Sequence, residues 1–421
     1  LNQLTPYLDT NGRLSTKQSG NKKWHSTETS LIHSTDSIFK SMDQKKITAA
    51  VLLDMSKAFD SINHSILLSK LQDIGISPSS ISWFENYLSQ RLQVVRINST
   101  LSDKLPVESG VPQGSILGPV LFSIYINDLP TISKFCSSAC YVDDTKLLLS
   151  FFVKDSNSAT AKINSDLIRI RNWCFDNCLL LNPDKTKLMV FGTRQMLSKL
   201  PTFKLSLLGK YLMPAESVKD LGVTFDPNLN FDKHIVTTVS SCMSILSQIN
   251  RIKHIFSKDL LLIIINALVF SKLFYCSSVW SSTSYRNICK LQRVQNFAAR
   301  IVSNTRKFDH ITPVLKGLCW LPVKTQLYYR DATLSFKCMT GRAPDYLSAQ
   351  FVKREKISGR KTRGSQLLNI PLFKSTSGQK TFHYRAVSLW NQLDDSFKLI
   401  ESVANFKRRL RSQLLEQFMQ S

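Results

Sequence analysis

The chain has 421 residues and a formal net charge of +25, with 55 Lys and Arg against 30 Asp and Glu. This length allows two or three domains. A hydrophobic fraction of 43% excludes a chain too polar to bury a core. The basic balance favours a polyanionic partner such as a nucleic acid, or an anionic membrane surface.

The positive charge is concentrated toward the C-terminus. Residues 290–421 contain 24 Lys and Arg against eight Asp and Glu. Within them, the basic stretch 353–363 reads KREKISGRKTR. Its six cations are Lys353, Arg354, Lys356, Arg360, Lys361 and Arg363. We predict that this stretch contacts nucleic acid, with a solvated loop as the alternative.

Cysteine usage and hydropathy exclude further classes. Nine cysteines without a short-chain disulfide pattern indicate a reduced, intracellular protein. The CxxxC pairs Cys136/Cys140 and Cys174/Cys178 favour helical packing or chance over zinc binding. The apolar run at 260–270 is too short for a membrane span and predicts a buried helix. The sequence starts without Met or a signal peptide, so we expect a truncated chain.

The predicted elements are mixed helix and strand up to about residue 230 and mostly helical afterwards, without an internal repeat. In chain order they are a helix at 26–42, a strand at 47–55, helices at 64–75 and 79–90, a strand at 91–98, a Gly/Pro loop with an apolar helix at 110–130, a hairpin at 138–149, a helix at 158–177, two strands around a turn at 179–192, a strand or hairpin at 218–226, and helices such as 284–302.

Acidic side chains end two of the predicted strands. Asp54 follows a continuous apolar run, and Asp143 and Asp144 stand between two apolar segments. If both strands belong to one sheet, these carboxylates meet although Asp54 and Asp143 are 89 positions apart. Mg²⁺ prefers such oxygen ligands and binds carboxylates together with substrate phosphates. The alternative for each Asp alone is a turn or cap residue.

Five motifs then occur in order along the chain: DMSKAFDSINH, SGVPQGSILGPVLFSIYINDLP, YVDD, LLLNPDKTKLMVFG and VKDLGVTFD. Together they resemble the successive palm motifs of reverse transcriptases from non-LTR (LINE-type), jockey-like retrotransposons. The resemblance is close over about residues 15–250. Segment 18–29 resembles the region just upstream of the palm, and 320–410 resembles the C-terminal region of such elements.

The resemblance implies a fold and an activity. The fold is an α/β (α+β) right-hand polymerase palm with fingers insertions, followed by a mostly helical thumb and a basic C-terminal region. The implied domains are a partial fingers segment at 1–46, a palm at 47–226 with fingers helices at about 64–105, a thumb at 227–319, and the basic region at 320–421. The activity is RNA-directed DNA polymerisation, a two-metal nucleotidyl transfer from dNTP to a primer 3′-hydroxyl.

The same resemblance implies Mg²⁺, with Mn²⁺ as a substitute, and an RNA template, a DNA primer and dNTP as partners. We expect no membrane association, and action in the nucleus after synthesis in the cytoplasm. The oligomeric state stays open. One alternative is a catalytically decayed, RNA-binding remnant of such an element. Another is an intron-type maturase, although the sequence contains no recognisable splicing helical domain.

The resemblance also assigns roles around the metal and the nucleotide. Asp54, Asp143 and Asp144 would be the catalytic metal ligands, with the Met55 carbonyl beside them. Phe59 would lie under the sugar of the nucleotide and select dNTP by colliding with a 2′-hydroxyl, with plain core packing as the alternative.

Further matched positions concern the nucleotide and the primer. Gln113 and Gly114 would line the nucleotide and template site, and glycine allows close backbone approach. Lys185 would lie near the triphosphate, with Lys187 as the neighbouring candidate. Leu221, Gly222 and Val223 would form the primer grip.

The chain departs from the family pattern near its start. After Gln18 and Ser19 it reads Gly20-Asn21-Lys22 where relatives tend to have Gly-Phe-Arg. The basic finger segment expected further upstream is not in the sequence. Both departures concern contacts to the triphosphate.

Overall fold

The computed structural model describes residues 2–358 and 364–420. The chain divides into two units, each with its own hydrophobic core. The first unit comprises Leu1–Ser26, Lys46–Val190 and Arg194–Ala215, and the second comprises Thr27–Lys45, Phe191–Thr193 and Glu216–Ser421. Each unit is therefore built from segments that are distant in sequence.

A four-stranded sheet forms the centre of the first unit. Its strand order is Lys187–Phe191, Ile47–Leu53, Asp144–Phe151 and Ser137–Tyr141. The second and third strands pair antiparallel, as do the third and fourth. All residues of Ile47–Leu53 except one are buried, because helices or loops cover both faces of an inner strand. The predicted strand at 47–55 and hairpin at 138–149 are confirmed.

The helices of the first unit pack around this sheet. They are Leu4–Thr10, His64–Asp73, Pro78–Leu88, Gly118–Tyr125, Leu129–Ile132, Ser156–Asp176 and Arg194–Leu197, with a short 3₁₀ turn at Val153–Asp155. Asn63 begins the His64–Asp73 helix by accepting a hydrogen bond from the Ile66 N–H. The helices predicted at 64–75, 79–90 and 158–177 are confirmed.

Short strands complete the first unit. They are Met55–Ser56, Leu92–Gln93, Arg96–Ile97, Thr100–Leu101, Leu105–Pro106, Leu180–Leu181, Leu205–Leu207 and Lys210–Leu212. The single strand predicted at 91–98 is wrong. Two-residue strands there pair locally with 100–101 and 105–106, and their side chains are exposed. The alternating pattern therefore marks a solvent-facing ribbon rather than a strand over the core.

The second unit is mostly helical. Its helices are Thr27–Asp43, Asp232–Ile252, Lys258–Ile265, Ser271–Leu273, Ser277–Trp280, Tyr285–Ser303, Ile311–Gly317, Val323–Met339, Asp345–Ser348, Arg354–Ser358, Thr376–Gln379, Phe382–Gln392, Asp395–Lys398 and Val403–Gln420. A 3₁₀ turn at Lys253–Ile255, a π-helical turn at Asn266–Phe270 and a hairpin of Val218–Asp220 with Val223–Phe225 complete it. The helix predicted at 284–302 and the hairpin at 218–226 are confirmed.

Two acidic side chains fix the Thr27–Asp43 helix inside the second unit. Asp36 accepts hydrogen bonds from the N–H groups of Phe382 and His383, at the start of another helix. Burial raises the pKa of Asp36, and these two donors oppose that effect. Asp43 accepts hydrogen bonds from the Ser375 N–H and hydroxyl, both at 2.7 Å. An N-terminal helix is thus an integral part of a unit formed mainly by the C-terminal half.

The apolar run at 260–270 is helical, but the expectation that it is buried is only partly right. Leu261, Ile265 and Val269 are buried at a spacing of four residues, whereas Ile263 is 65% and Leu268 53% exposed. One face of the helix therefore packs in the unit and the other faces solvent. None of the helices in residues 2–358 and 364–420 is long and apolar enough to cross a membrane.

Candidate active site

The sheet register brings the predicted carboxylates to one edge. Leu53 lies opposite Thr145 in the antiparallel pair, so Asp54 and Asp144 are the next residues at the same end. Tyr141 pairs with Asp144 across the neighbouring hairpin, which leaves Val142 and Asp143 as its two-residue tip. Two segments far apart in sequence therefore end at the same edge of the sheet, with Asp54 and Asp144 at adjacent backbone positions.

The side chain of Asp54 is poorly satisfied within the protein. Its Oδ2 atom is buried, and no described residue donates a hydrogen bond to it. A buried carboxylate oxygen without a partner costs about 1–3 kcal/mol. Such an atom is free to accept from water or to bind a cation.

The carboxylates do not form a ready-made metal cage. In the part of the chain that the structure describes, no three His, Cys, Asp or Glu side chains are arranged to hold a metal ion. Mg²⁺, however, needs only one or two protein carboxylates when substrate phosphates and water supply the remaining oxygens. The unpartnered oxygen of Asp54 beside the acidic hairpin tip fits that requirement.

A turn at residues 182–186 is anchored on the backbone of Asp54. The Asn182 N–H donates to the Asp54 carbonyl at 2.9 Å, and the Asp54 N–H donates to Thr186 Oγ1 at 3.3 Å. The Thr186 hydroxyl donates back to the Asn182 carbonyl, which closes the turn. Lys185 lies on this turn, its side chain is exposed, and its N–H donates to Asn182 Oδ1 at 3.3 Å. The Lys187 ammonium donates to the Asp184 carbonyl at 3.1 Å, within the same segment.

Phe59 is half-buried and stacks on Phe122, with ring centroids 4.3 Å apart and planes 18° apart. Gln113, which the resemblance assigns to the nucleotide site, donates from Nε2 to the Asp60 carboxylate at 2.7 Å. A Cβ added to Gly114, whose φ is +81°, would meet no atom within 4 Å. The loop therefore leaves open space at Gly114, as close approach of a ligand requires.

The candidate primer grip lies at the tip of the Val218–Asp220 and Val223–Phe225 hairpin, in the second unit. Leu221 and Gly222 both have positive φ, at 42° and 85°. The Tyr275 hydroxyl donates to the Leu221 carbonyl at 3.0 Å, and a Cβ on Gly222 would lie 2.9 Å from its ring. A tyrosine distant in sequence therefore shapes this tip.

A histidine contacts the second strand of the same hairpin. The Thr224 N–H donates to His234 Nδ1 at 3.4 Å, so that nitrogen is an acceptor and the ring is neutral. Burial lowers the pKa of His234 to about 4, and the charge of Lys219 acts in the same direction.

The basic stretch is only partly described. Lys353 is half-buried, donates to Gln366 Oε1 at 2.6 Å and lies 4.0 Å from the Glu355 carboxylate. Arg354 and Lys356 are exposed on the helix Arg354–Ser358. Arg360, Lys361 and Arg363 lie outside the described residues.

Three of the four cysteines in the CxxxC pairs are packed in the interior. Cys136, Cys140 and Cys174 are buried, whereas Cys178 is exposed. Burial raises the pKa of Cys140 to about 11 and that of Cys174 to about 12.

Sequence reasoning missed three residues that hold the candidate functional segments of the two units. Gln18 bonds to the backbone of Val142, Thr186 to that of Asp54, and Tyr275 to that of Leu221. Each is a single polar residue acting through a long-range hydrogen bond. No local pattern in the sequence marks such a partner.

Comparison with known proteins defines the class. A family model described as "Reverse transcriptase (RNA-dependent DNA polymerase)" matches residues 1–225. Because this match covers more than half of the chain, the protein belongs to the reverse transcriptase family. The family implies an RNA template, a nucleic-acid primer and nucleotide substrates.

The particular relatives confirm the resemblance to jockey-like elements. The chain is 29% identical over 337 residues to the probable RNA-directed DNA polymerase from transposon BS of Drosophila melanogaster, covering 77% of this chain and 36% of that protein. It is 28% identical over 242 residues to the RNA-directed DNA polymerase from mobile element jockey of the same species, covering 56% and 26%. The chain thus spans about a third or less of these relatives' length.

Among solved structures, the chain is similar to apo telomerase from Candida tropicalis. That match has 11% identity and a TM-score of 0.38, and it covers 85% of this chain and 60% of that one. At this TM-score the likeness carries no further conclusion.

Proposed function

We propose that this chain performs RNA-templated DNA synthesis for a non-LTR retrotransposon, transferring a nucleotide from dNTP to a primer 3′-hydroxyl with release of pyrophosphate. The observation that supports the proposal is the sheet register, in which the strand before Asp54 pairs with the strand that begins at Asp144, in a member of the reverse transcriptase family. A catalytically inactive, RNA-binding remnant is the outcome that the experiment below must exclude.

The central sheet would be the polymerase palm. In this proposal the palm spans 47–226, with fingers helices at about 64–105 and a partial fingers segment at 1–46. The helical region 227–319 would be the thumb, and 320–421 a basic nucleic-acid surface. These functional domains are distinct from the two packing units, because the helix Thr27–Asp43 packs in the second unit.

Asp54 and Asp143 would hold Mg²⁺, or Mn²⁺ in its place, with Asp144 and the Met55 carbonyl beside them. When bound there, the ion would offset negative charge on the reacting phosphates. The chain's own contribution is to hold the two acidic strand ends in register. Positioning and charge stabilisation account for most of the catalysis in phosphoryl transfer.

Nucleotide selection would depend on the half-buried ring of Phe59. Its stacking on Phe122 fixes the plane of the ring, which favours a rigid barrier to a 2′-hydroxyl. Gln113 would be oriented by its hydrogen bond to Asp60, and Gly114 would leave room for the base pair. Lys185, on the turn bonded to Asp54, would neutralise charge on the triphosphate.

The DNA primer would contact Leu221, Gly222 and Val223, and the RNA template would add contacts to the basic stretch 353–363. The proposed place of action is the nucleus, after synthesis in the cytoplasm.

Replacing all six cations of the basic stretch by Ser tests its role. Each phosphate contact contributes about 0.7–0.9 to the slope of log K against log salt, so six contacts would reduce it by roughly 4–5. An unchanged slope would mean that the stretch is a solvated loop.

The test of the function itself is primer extension on poly(rA)/oligo(dT) with dTTP. We expect extension that requires Mg²⁺ or Mn²⁺ and is abolished by Asp143→Asn. The affinity of this variant for the RNA–DNA hybrid should stay within about twofold of that of the unmodified chain. Hybrid binding without any extension by the unmodified chain would identify it as the inactive remnant. Near-normal extension by Asp143→Asn would refute the assignment of the metal site.

A further inference from the structure

The tip of the acidic hairpin has an unusual backbone. Val142, directly before Asp143, has φ +56°. This left-handed conformation is rare for any residue except Gly, and for a β-branched residue it is an outlier. A two-residue tip built on Val142 and Asp143 therefore needs support from outside the hairpin.

The support comes from residues 17–20, near the start of the chain and in the same unit. The Ser19 N–H donates to the Cys140 carbonyl at 2.8 Å, and the Cys140 N–H donates to the Lys17 carbonyl at 3.0 Å. This segment thus forms a short parallel bridge along the strand Ser137–Tyr141 and ends at the hairpin tip. We call residues 17–20 the brace.

The side chain of Gln18 forms hydrogen bonds with both backbone polar groups of Val142. Its Oε1 accepts from the Val142 N–H at 2.9 Å, and its Nε2 donates to the Val142 carbonyl at 3.2 Å. The same Oε1 accepts from the Gly20 N–H at 2.8 Å, which fixes the amide's orientation. Gln18 is 1% exposed, so water does not replace these bonds cheaply.

Gly20 completes the brace through its lack of a side chain. A Cβ at this position would lie 2.5 Å from both the Val142 nitrogen and Val142 Cγ2. The nitrogen is a backbone atom and cannot rotate away. The brace and the tip therefore fit only when residue 20 is glycine.

We propose that Gln18 is a positioning residue for catalysis: it holds Val142 in the left-handed conformation and thereby directs Asp143 toward Asp54. This inference rests on the proposed function of the carboxylates and adds a residue that does not itself touch metal or substrate. Displacement of a reacting group by about 1 Å costs about 10²-fold in rate, so a small change at the tip is sufficient.

The test compares Gln18→Met with the unmodified chain. Met keeps the length of the side chain and removes all three hydrogen bonds. We expect kcat to fall about 10²-fold, with hybrid affinity within twofold, and the backbone amide of Val142 to exchange faster with solvent. Gln295→Met is the matched control, since Gln295 is also buried and donates to a backbone carbonyl, that of Leu321. Gln295→Met should change neither kcat nor the exchange rate of the Val142 amide.

Two further variants separate positioning from general destabilisation. Gly20→Ala pushes on Val142 without removing a side-chain bond, and it should lower kcat in the same way at unchanged hybrid affinity. It replaces Gln18→Met if that variant fails to fold. Adding Val142→Gly to Gln18→Met should recover at least tenfold in kcat, because glycine enters the left-handed conformation without support.

The outcomes are distinct from those for the function itself. If the unmodified chain extends no primer, the proposed function fails. Exchange of the Val142 amide then shows by itself whether Gln18 holds the hairpin tip. If the Val142 amide is as well protected from exchange in Gln18→Met as in the unmodified chain, Gln18 does not hold the backbone of Val142. Unchanged kcat, or a double variant no better than Gln18→Met, would overturn its role in positioning Asp143.

Discussion

The unpartnered oxygen of Asp54 leads to a prediction that links stability to activity. We expect Asp54→Asn to abolish synthesis, with a loss of about 10³-fold or more, because the variant lacks a charge that the transition state requires. The same change replaces a carboxylate whose buried Oδ2 no described residue satisfies. The metal-free variant should therefore be at least as stable as the unmodified chain.

The magnitude follows from the cost of the unpaired oxygen. An unpaired buried polar atom costs about 1–3 kcal/mol, and a charged one costs more than a neutral amide. For a unit of this size, each kcal/mol corresponds to about 2–4 °C in Tm. Divalent metal should act in the opposite direction, since an ion at ten times its Kd stabilises the unmodified chain by about 1.4 kcal/mol and leaves the variant unaffected.

The assay is thermal unfolding in EDTA and in Mg²⁺, alongside primer extension. Asp73→Asn is the matched control, because Asp73 is an exposed acid on a helix of the same unit. It should change neither the metal response nor synthesis. An Asp54→Asn protein that is less stable in EDTA and gains as much from Mg²⁺ as the unmodified chain would refute the reasoning and make Asp54 a structural residue.

Three further changes test other parts of the account. Phe59→Val should raise rNTP relative to dNTP incorporation roughly tenfold; an unchanged ratio in a folded variant would leave the ring as core packing. Tyr275→Phe removes the hydrogen bond to the Leu221 carbonyl and should weaken primer-terminus binding by about 1 kcal/mol; equal affinity would exclude a role in the primer grip. Burial lowers the pKa of His234 to about 4. Its neutral form therefore stabilises the fold fully above pH 6.5, and the free energy of unfolding should fall by about 3 kcal/mol as the pH drops toward 4. The acid-induced fall in Tm should be shallower in His234→Gln, and an identical pH profile would show that His234 titrates normally in the fold.

The sequence predicts the elements that carry the carboxylates because their signals are local. A continuous apolar run identifies Ile47–Leu53 as an inner strand, and two apolar segments around Asp143 and Asp144 identify a hairpin. The pairing of these elements is a hypothesis suggested by the acids at their ends, and the observed register confirms it. The motif order gives the family, which the comparisons confirm.

The remaining features depend on contacts that no local pattern encodes. The helix Thr27–Asp43 is recognisable as a helix, but its packing in the second unit depends on Asp36 meeting a helix start more than 340 residues away. The left-handed Val142 and its clamp by Gln18 likewise arise from tertiary contacts. The exposed ribbon around 92–106 has the alternation of a half-buried strand, yet no core covers it.

The most direct test of the central claim is to ask where a divalent ion sits. Fe²⁺ in place of Mg²⁺, with ascorbate and peroxide, produces hydroxyl radicals that cut the backbone close to the bound ion. We predict cuts at both paired strand ends, next to Asp54 and next to Asp143, suppressed by excess Mg²⁺ and absent in Asp143→Asn. Cuts at only one of the two strand ends, or cuts that persist in Asp143→Asn, would contradict a metal site shared by these carboxylates.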